Sequence, residues 1–425
     1  MSMENRGVEN LLNLLNVPRF GPLSGIVIID TCRYGACHLA TELFAELGAV
    51  VIHIETPPFK PPYSDSYRFA EFRIPPHGEV QICDHGAQNG RNKLSVALDF
   101  LNSDVGKEIF LELIKHADAY VESSRPGTLD KHGLSDDILL GANPRLVIVH
   151  LSAWGQTGPK RYDTGHDLDI QAFTGFLYKI GYENEPLRVP WTIADYGISP
   201  FLAFATLAAI YYSKRTGLGQ VIDAAQYELF LRLLDPYLLD AATYQVEPPE
   251  RMGNDHPYYF PYDVYKCKDG WITISAPFPA TWPRLRKLLG LPPEYDDENI
   301  RRRHRQEINR KIEDFLKDKT REEAVRILQQ NGVPASVVHK ISELINDPHV
   351  LSRGILIEWE DQNIGRVKGL GVVPKFSRTP GMIWRGFPRF GQDTCAVLKT
   401  LLNLDDDKLL YLHRNNVIYC ENLKE

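Results

Sequence analysis

One acidic side chain, Asp195, stands between the basic ends of the stretch RVPWTIADYGISPFLAFATLAAIYYSK, at residues 188–214, and it heads a run that is otherwise apolar. Two readings fit it. Aspartate caps helices by accepting backbone N–H groups. A carboxylate beside Trp191, Ile193, Tyr196 and Ile198 is also partly desolvated, which raises its pKa and suits it to act as a nucleophile or base. A second cluster, His166, Asp167 and Asp169 in YDTGHDLDIQAFTGF, lies between glycines ahead of an apolar segment. There Asp163 or Asp167 suits a helix cap, and His166 on its own reads as a satisfied, partly buried histidine. A third cluster, Arg125, Lys131 and His132 in RPGTLDKHGL, follows the apolar segment ending in YVESS. Cations at the carboxyl end of a parallel strand suit an anionic ligand. Pro126 and Gly127 equally suit a turn that opens a solvated helix.

Other chemistries are disfavoured. The turn DTCRYGACH holds a single glycine, so it lacks the G-x-G-x-x-G spacing of a dinucleotide site, even with Glu55 where a ribose-binding acid would stand. Neither a phosphate-binding G-x-x-x-x-G-K-[ST] nor a G-x-S-x-G nucleophile elbow occurs. The six cysteines, Cys32, Cys37, Cys83, Cys267, Cys395 and Cys420, form no C-x-x-C pair, and free thiols in a reducing compartment are expected, with no metal site. A net charge of -7 gives no basic footprint for nucleic acid. The first residues, MSMENRGVENLLNLL, lack the cationic head and apolar core of a signal peptide, so a cytoplasmic protein is expected. The apolar run ISPFLAFATLAAIYY, shorter than the ~18–20 residues a bilayer span requires, reads as a buried helix, and no membrane partner is expected.

These residues need elements to hold them. With 425 residues the chain exceeds what one core usually serves, so two domains, or one with a large insertion, are expected. GIVIIDTCRYGACHLATELFAELGAVVIHIE reads as strand, helix and strand, with Gly48 as the stop, and both apolar runs suit a parallel sheet buried on both faces. VGKEIFLELIKHADAYVES and NPRLVIVHLSAW continue the alternation, giving an α/β fold with a doubly wound sheet. The Pro- and Gly-rich segment from FKPPYS to GRNK reads as a long functional loop. From Ser199 a long helix is expected, then a break at Gly217 and Gly219 and a second helix starting near Asp223. Further on, HPYYFPYDVYKCKDGWITISAP alternates as a hairpin turning at Asp269-Gly270, followed by charged helices.

Several of these motifs, in this order, resemble CoA-transferase family III, which also contains the α-methylacyl-CoA racemases. They are FGPLSGIVIID, NKLSVALDF, NPRLVIVHLSAWGQTGP, GHDLDIQAFTGFL, ADY with KRTGLGQVIDAAQYE, and PKFSRTPGMIWRGFPRFGQDT. The last of these, with DHPYYFPYDVYKCKDG, most resembles the L-carnitine CoA-transferase branch. The resemblance implies an interlocked, ring-like homodimer. Each subunit would have a Rossmann-like large domain over 20–231, completed by 365–425, and a smaller inserted α/β domain over 253–348.

It also implies a role for Asp195 as the nucleophile of a CoA relay between an acyl-CoA and a free carboxylic acid. Coenzyme A is then a substrate, and no cofactor is permanently bound. Arg125, Lys131 and His132 would take the CoA 3′-phosphate, and Tyr34 and Leu98 would border its adenine and pantetheine. Thr56 stands where some members carry a basic residue beside the adenine. The alternative is a racemase or epimerase that uses His166 and Asp195 as an acid/base pair. The small-domain glutamate of racemases falls on Pro279, which argues against it. Only Gly253 stands where formyl-CoA transferases have a glycine-rich lid, so formate or oxalate is not expected. A CoA-binding protein without catalysis is the remaining reading. Tyr258, Tyr259, Phe260 and Tyr262 are expected to form an apolar wall, a cation-accepting surface for a quaternary ammonium acid, or simply a core.

Overall fold

The computed structural model describes residues 3–33, 35–60, 68, 84–247 and 249–423. The strands, in chain order, are β1 (Val27–Thr31), β2 (Val50–Glu55), β3 (Leu94–Leu98), β4 (Ala119–Glu122), β5 (Val147–Ser152), β6 (Gly181–Tyr182) and β7 (Glu185–Pro186). They continue as β8 (Gln220–Ala225), β9 (Tyr262–Cys267), β10 (Gly270–Ser275), β11 (Ala335–Val337), β12 (Leu356–Asp361), β13 (Gly365–Leu370) and β14 (Ile418–Tyr419). The chain forms two compact units. One comprises Met1–Thr174, Pro190–Asp235 and Arg353–Glu425, and the other Gly175–Val189 and Pro236–Ser352.

The first unit is built on a seven-stranded sheet in the order β14-β3-β2-β1-β4-β5-β8. Six strands are parallel, and β14 closes one edge antiparallel to β3. β1 to β4 are buried along their whole length, as apolar runs covered on both faces must be. From β1 the chain runs outward through β2 to β3, and then returns to fill β4, β5 and β8 on the other side. The strand order therefore reverses between β1 and β4, and the carboxyl ends there form the crevice in which open α/β sheets take ligands.

A charged group runs through this core. Lys93 Nζ lies 3.2 Å from Asp30 Oδ2 and donates to Thr41 Oγ1 at 2.8 Å, while His53 Nδ1 bonds Asp30 Oδ1. Burial alone would raise the Asp30 carboxyl, but the Lys93 ammonium and His53 outweigh it and hold it well below the usual carboxylate range. Glu55 is also buried and taken, by Arg68 Nη2 at 2.6 Å and Ser95 Oγ at 2.6 Å, so it is not a ribose acceptor.

Three expectations are corrected. The helix expected from Ser199 begins earlier and spans Ile193–Thr216; it is long and apolar enough to cross a membrane, where the sequence read a shorter run. In this fold it lies against the helix Gly35–Glu46, with Ser199 Oγ donating to the Ala36 carbonyl at 2.9 Å. Second, strand β8, paired in parallel with β5, stands between the break at Gly217 and Gly219 and the second helix, so Asp223 lies in the strand and the helix starts at Gln226. Gly217 ends the helix in the left-handed region at φ 77, and a Cβ on Gly219 would lie 2.0 Å from the Leu146 carbonyl oxygen, so only glycine lets the strand dock.

Third, four cysteines are not free thiols. Cys32 pairs with Cys37 across the turn after β1, and Cys395 pairs with Cys420 where β14 returns beside the helix Thr394–Leu402. Cys267 is free and buried, and Cys83 lies outside the described residues. Most of the long loop after β2 lies outside them too. A hairpin of β12 and β13 that the sequence did not suggest also belongs to this unit.

In the second unit a three-stranded antiparallel sheet, β11-β10-β9, packs on the helices Trp282–Leu288, Arg305–Leu316 and Arg321–Gln330. Cys267 pairs with Gly270, so the expected hairpin turns through Lys268 and Asp269. Ile272, Ile274, Trp282, Ile308, Ile312 and Leu328 form its core, each worth about 1.5–3 kcal/mol when removed from water. Of the four aromatics singled out, Phe260 is core, whereas Tyr258, Tyr259 and Tyr262 are exposed around His256.

Candidate functional site

Asp195 lies in the first turn of the helix Ile193–Thr216, but it does not cap that helix. The cap comes from Asp167, at the start of the helix Asp167–Phe173. Its Oδ1 accepts from the backbone N–H groups of Ala194 at 2.6 Å and Asp195 at 3.2 Å. Its other oxygen, Oδ2, accepts from Gln171 Nε2 at 2.5 Å, and Asp167 and Gln171 are both buried. The sequence marked Asp167 as a capping residue, and it is one, for a helix that begins 26 positions later.

Relieved of that duty, the Asp195 carboxylate accepts through Oδ1 from the amide of Gln226, the first residue of the helix Gln226–Leu231. Burial, and after it the Asp167 carboxylate, raise the Asp195 carboxyl to about 6, against the opposing pull of Gln226 and His166. The desolvation inferred from its apolar neighbours is therefore present. The next residue, Tyr196, takes a hydrogen bond on its hydroxyl from Asn89 Nδ2 at 2.9 Å, which helps fix the start of the helix.

His166 is exposed at the N-terminus of Asp167–Phe173, where its backbone N–H donates to Asp169 Oδ2 at 2.9 Å. It is near enough to Asp195 to lower that group's pKa by its charge.

Arg125, Lys131 and His132 follow β4 on one turn, with Gly127 in the left-handed region at φ 76 and a short helix Thr128–Lys131. Arg125 is exposed and lines a cavity of about 500 Å³ with Glu122, Asp136, His150 and Asp223. His150 sits between two carboxylates, Nδ1 2.7 Å from Glu122 Oε1 and Nε2 2.9 Å from Asp136 Oδ1. Burial disfavours its charge, but the bonds to Asp136 and Glu122 prevail and push it up to about 10, so it carries a proton at neutral pH. His132 Nδ1 bonds the Leu101 carbonyl at 2.6 Å. Leu101 in turn lines a second, smaller cavity with Thr31, Arg33, Thr56, Phe100 and Ser124, at the carboxyl ends of β1, β2 and β4. Lys131 is exposed at the end of its helix. Leu98 is fully buried in the sheet core and offers no side-chain surface to a ligand, and Tyr34 lies outside the described residues.

Three residues escaped sequence reasoning. Arg33, in the turn after β1, donates through Nη2 to Thr56 Oγ1 at 2.9 Å, so a cation does stand beside Thr56, supplied from that turn. Gln226 was read as part of a helix. Asp167 was placed on its own helix alone. Adjacent hydroxyl and cationic residue types at strand ends were the available signal for Arg33; nothing in one sequence marks a contact such as that of Gln226 with Asp195.

The model of CoA-transferase family III matches residues 23–394. A bile acid CoA-transferase of Clostridium scindens is 34% identical over 91% of this chain and 87% of its own length. An L-carnitine CoA-transferase of Proteus mirabilis is 30% identical over 91% of this chain and 94% of that one. The alpha subunit of a succinyl-CoA–L-malate CoA-transferase of Chloroflexus aurantiacus is 32% identical, covering 93% of this chain and 92% of its own. Among solved structures, a CaiB/BaiF family protein from Brucella suis superposes with a TM-score of 0.76 at 26% identity, over 90% of this chain and 100% of that one. A protein of Mycobacterium tuberculosis gives a TM-score of 0.77 at 26% identity, over 89% and 99%. A family match over residues 23–394, together with relatives 30–34% identical over about nine-tenths of the chain, makes this chain a member of CoA-transferase family III.

Proposed function

We propose that the chain moves CoA from an acyl-CoA thioester to a free carboxylic acid through a covalent intermediate on Asp195. One Asp195 oxygen adds to the thioester carbonyl carbon, the C–S bond breaks, and CoA leaves as the thiolate while an acyl-aspartyl anhydride forms. The thiolate then attacks the Asp195 carboxyl carbon and expels the donor acid, leaving an aspartyl-CoA thioester. The acceptor carboxylate displaces the thiolate to form a second anhydride. Thiolate attack on the acceptor carbonyl completes the transfer and regenerates the Asp195 carboxylate. Covalent catalysis of this kind divides one difficult exchange into easier steps.

The observation that carries this reading is that Asp195, desolvated and raised to about 6, is spared capping by Asp167. A carboxylate held this way gives up its charge readily on acylation. Arg125, Lys131 and His132 are proposed to hold the CoA 3′-phosphate, and Arg33 adds a cation beside Thr56. The large unit is read as the CoA-binding domain and the active form as a homodimer. The exposed Trp191, Phe204, Leu207, Tyr211 and Tyr212 on and beside the long helix support a second copy. The acid is a carnitine-type, hydroxy or aryl acid, the class suggested by the motifs that resemble the L-carnitine CoA-transferase branch.

The test is exchange of CoA between a panel of acyl-CoA donors and such acids by the wild type and Asp195→Asn. Hydroxylamine trapping of residue 195 is read by peptide mass. The Asn variant should bind CoA yet lose transfer by several orders of magnitude, and transfer near the wild-type rate would refute the relay. The charge interaction of His166 with Asp195 favours a second reading, an α-methylacyl-CoA racemase working through that pair. Solvent deuterium entering the acyl α-carbon, without any transfer to a free acid, would favour it.

A further inference from the structure

The two oxygens of the Asp195 carboxylate have unequal surroundings. Oδ1 accepts from Gln226 Nε2, and among the described residues Oδ2 accepts no hydrogen bond. Gln226 itself is nearly buried, at 7% exposure, and its position is set by the sheet. It follows Ala225, the last residue of β8, which pairs with Ser152 of β5. The next residue is held as well. Its backbone N–H donates to the Ala153 carbonyl at 3.3 Å, and the Tyr227 ring packs against Trp154 and Phe173, with centroids 5.9 and 5.5 Å away. The Gln226 amide is therefore a fixed donor, pinned to a sheet edge and an aromatic cluster, and its N–H meets the reacting carboxyl group.

We infer that Gln226 is the positioning residue and oxyanion donor of the aspartyl relay, holding Oδ1 as the oxygen that stays and leaving Oδ2 to attack. This inference rests on the reading of Asp195 as the nucleophile. Oδ2 bonds to the donor acyl carbon, and the thioester C–S electron pair leaves with the thiolate. When the thiolate adds to the Asp195 carboxyl carbon, the C=Oδ1 π pair moves onto Oδ1, against the Gln226 N–H. Collapse restores C=Oδ1, and Oδ2 departs with the donor acid. The acceptor carboxylate next adds to the same carbon, charges Oδ1 again, and expels the thiolate. Oδ1 thus becomes an oxyanion twice in each cycle, and a pre-set donor at that atom lowers both barriers. Glutamine suits the role because its amide donates without carrying a charge that would hold the carboxylate ionised.

The experiment compares Gln226→Leu and the near-isosteric Gln226→Glu with Asp195→Asn and wild type. It reads CoA affinity, kcat and KM, the single-turnover rate of aspartyl-CoA formation trapped by hydroxylamine, and the pH profile of transfer. For Gln226→Leu, kcat and the trapping rate should both fall by about 10²–10³, the loss typical of one oxyanion donor, while CoA affinity is retained. Its acid limb should move to higher pH than that of wild type, because the donation that opposes burial is gone while the neighbouring Asp167 and His166 are unchanged. Gln226→Glu should move the limb further in the same direction, by setting a second carboxylate against Asp195, and it should be no faster. If Gln226→Leu does not fold, the Glu variant decides on the same readings. Transfer and trapping within about threefold of wild type, or an acid limb that stays in place, would overturn the inference. If Asp195→Asn is inactive while the Gln226 variants are unaffected, only the role of Gln226 fails. An active Asp195→Asn overturns the relay and this inference with it.

Discussion

Asp195→Asn should make the protein more stable at neutral pH while it abolishes transfer. Asparagine keeps the shape of the side chain, and its carbonyl oxygen can still accept from Gln226. What it removes is a charge that the fold disfavours. The folded carboxyl is raised from 3.8 to about 6, by burial first and the Asp167 carboxylate second. Below the lower value the carboxyl is neutral in folded and unfolded chains alike, so Asp and Asn contribute equally. Between 3.8 and about 6 the unfolded chain ionises before the folded one, and stability falls as pH rises. Above about 6 the loss is complete, and a rise of roughly two units corresponds to ~3 kcal/mol. The Asn variant escapes that loss. Its unfolding transition should lie on the order of 5 °C above wild type at pH 8, with most of the gap gone near pH 4. Circular dichroism melts of both proteins at the two pH values measure it. Equal melting at pH 8, or a gap of the same size at both, would refute the claim that the fold strains against this charge. The same strain supports the proposed chemistry, because acylation neutralises Asp195 and releases it.

Three further outcomes are expected. Replacing Arg125 and Lys131 together with alanine should weaken CoA binding much more than dephospho-CoA binding in calorimetric titrations; equal losses would mean that the 3′-phosphate is held elsewhere. Light scattering at micromolar concentration should give about twice the 48.4 kDa chain mass, and a fully active monomer would rule out the proposed dimer. Asp167→Ala should lower stability by about 1 kcal/mol through loss of the cap, seen as a lower melting temperature. It should also shift the acid limb of transfer to lower pH than in wild type, since a like charge beside Asp195 is gone, and a limb moving to higher pH would contradict that electrostatic account.

What the sequence could say about this protein depended on the range over which each cue acts. Apolar runs such as VIIDT and VVIHIE declare buried parallel strands because each strand is covered on both faces, whatever its neighbours. Asp195 was legible because a lone carboxylate in an apolar run stands out from the sequence around it, and burial does raise its carboxyl. The break at Gly217 was legible too, but its consequence was not. GQVIDAA is short and mixed in polarity, and it is a strand because β5 offers an open edge beside it, a fact held by residues some 70 positions earlier. That unseen edge is also what carries Gln226 to Asp195. The capping question had the same form. From the sequence, Asp195 at the head of a helix competes with itself, as cap or as reactive group. The fold resolves the competition by bringing Asp167 to the two backbone N–H groups from 28 and 27 residues away. A partly desolvated carboxylate at a helix N-terminus is left free to react when another group satisfies the backbone N–H groups of that terminus. Asp167 is therefore as much a condition of the proposed chemistry as the burial of Asp195 itself.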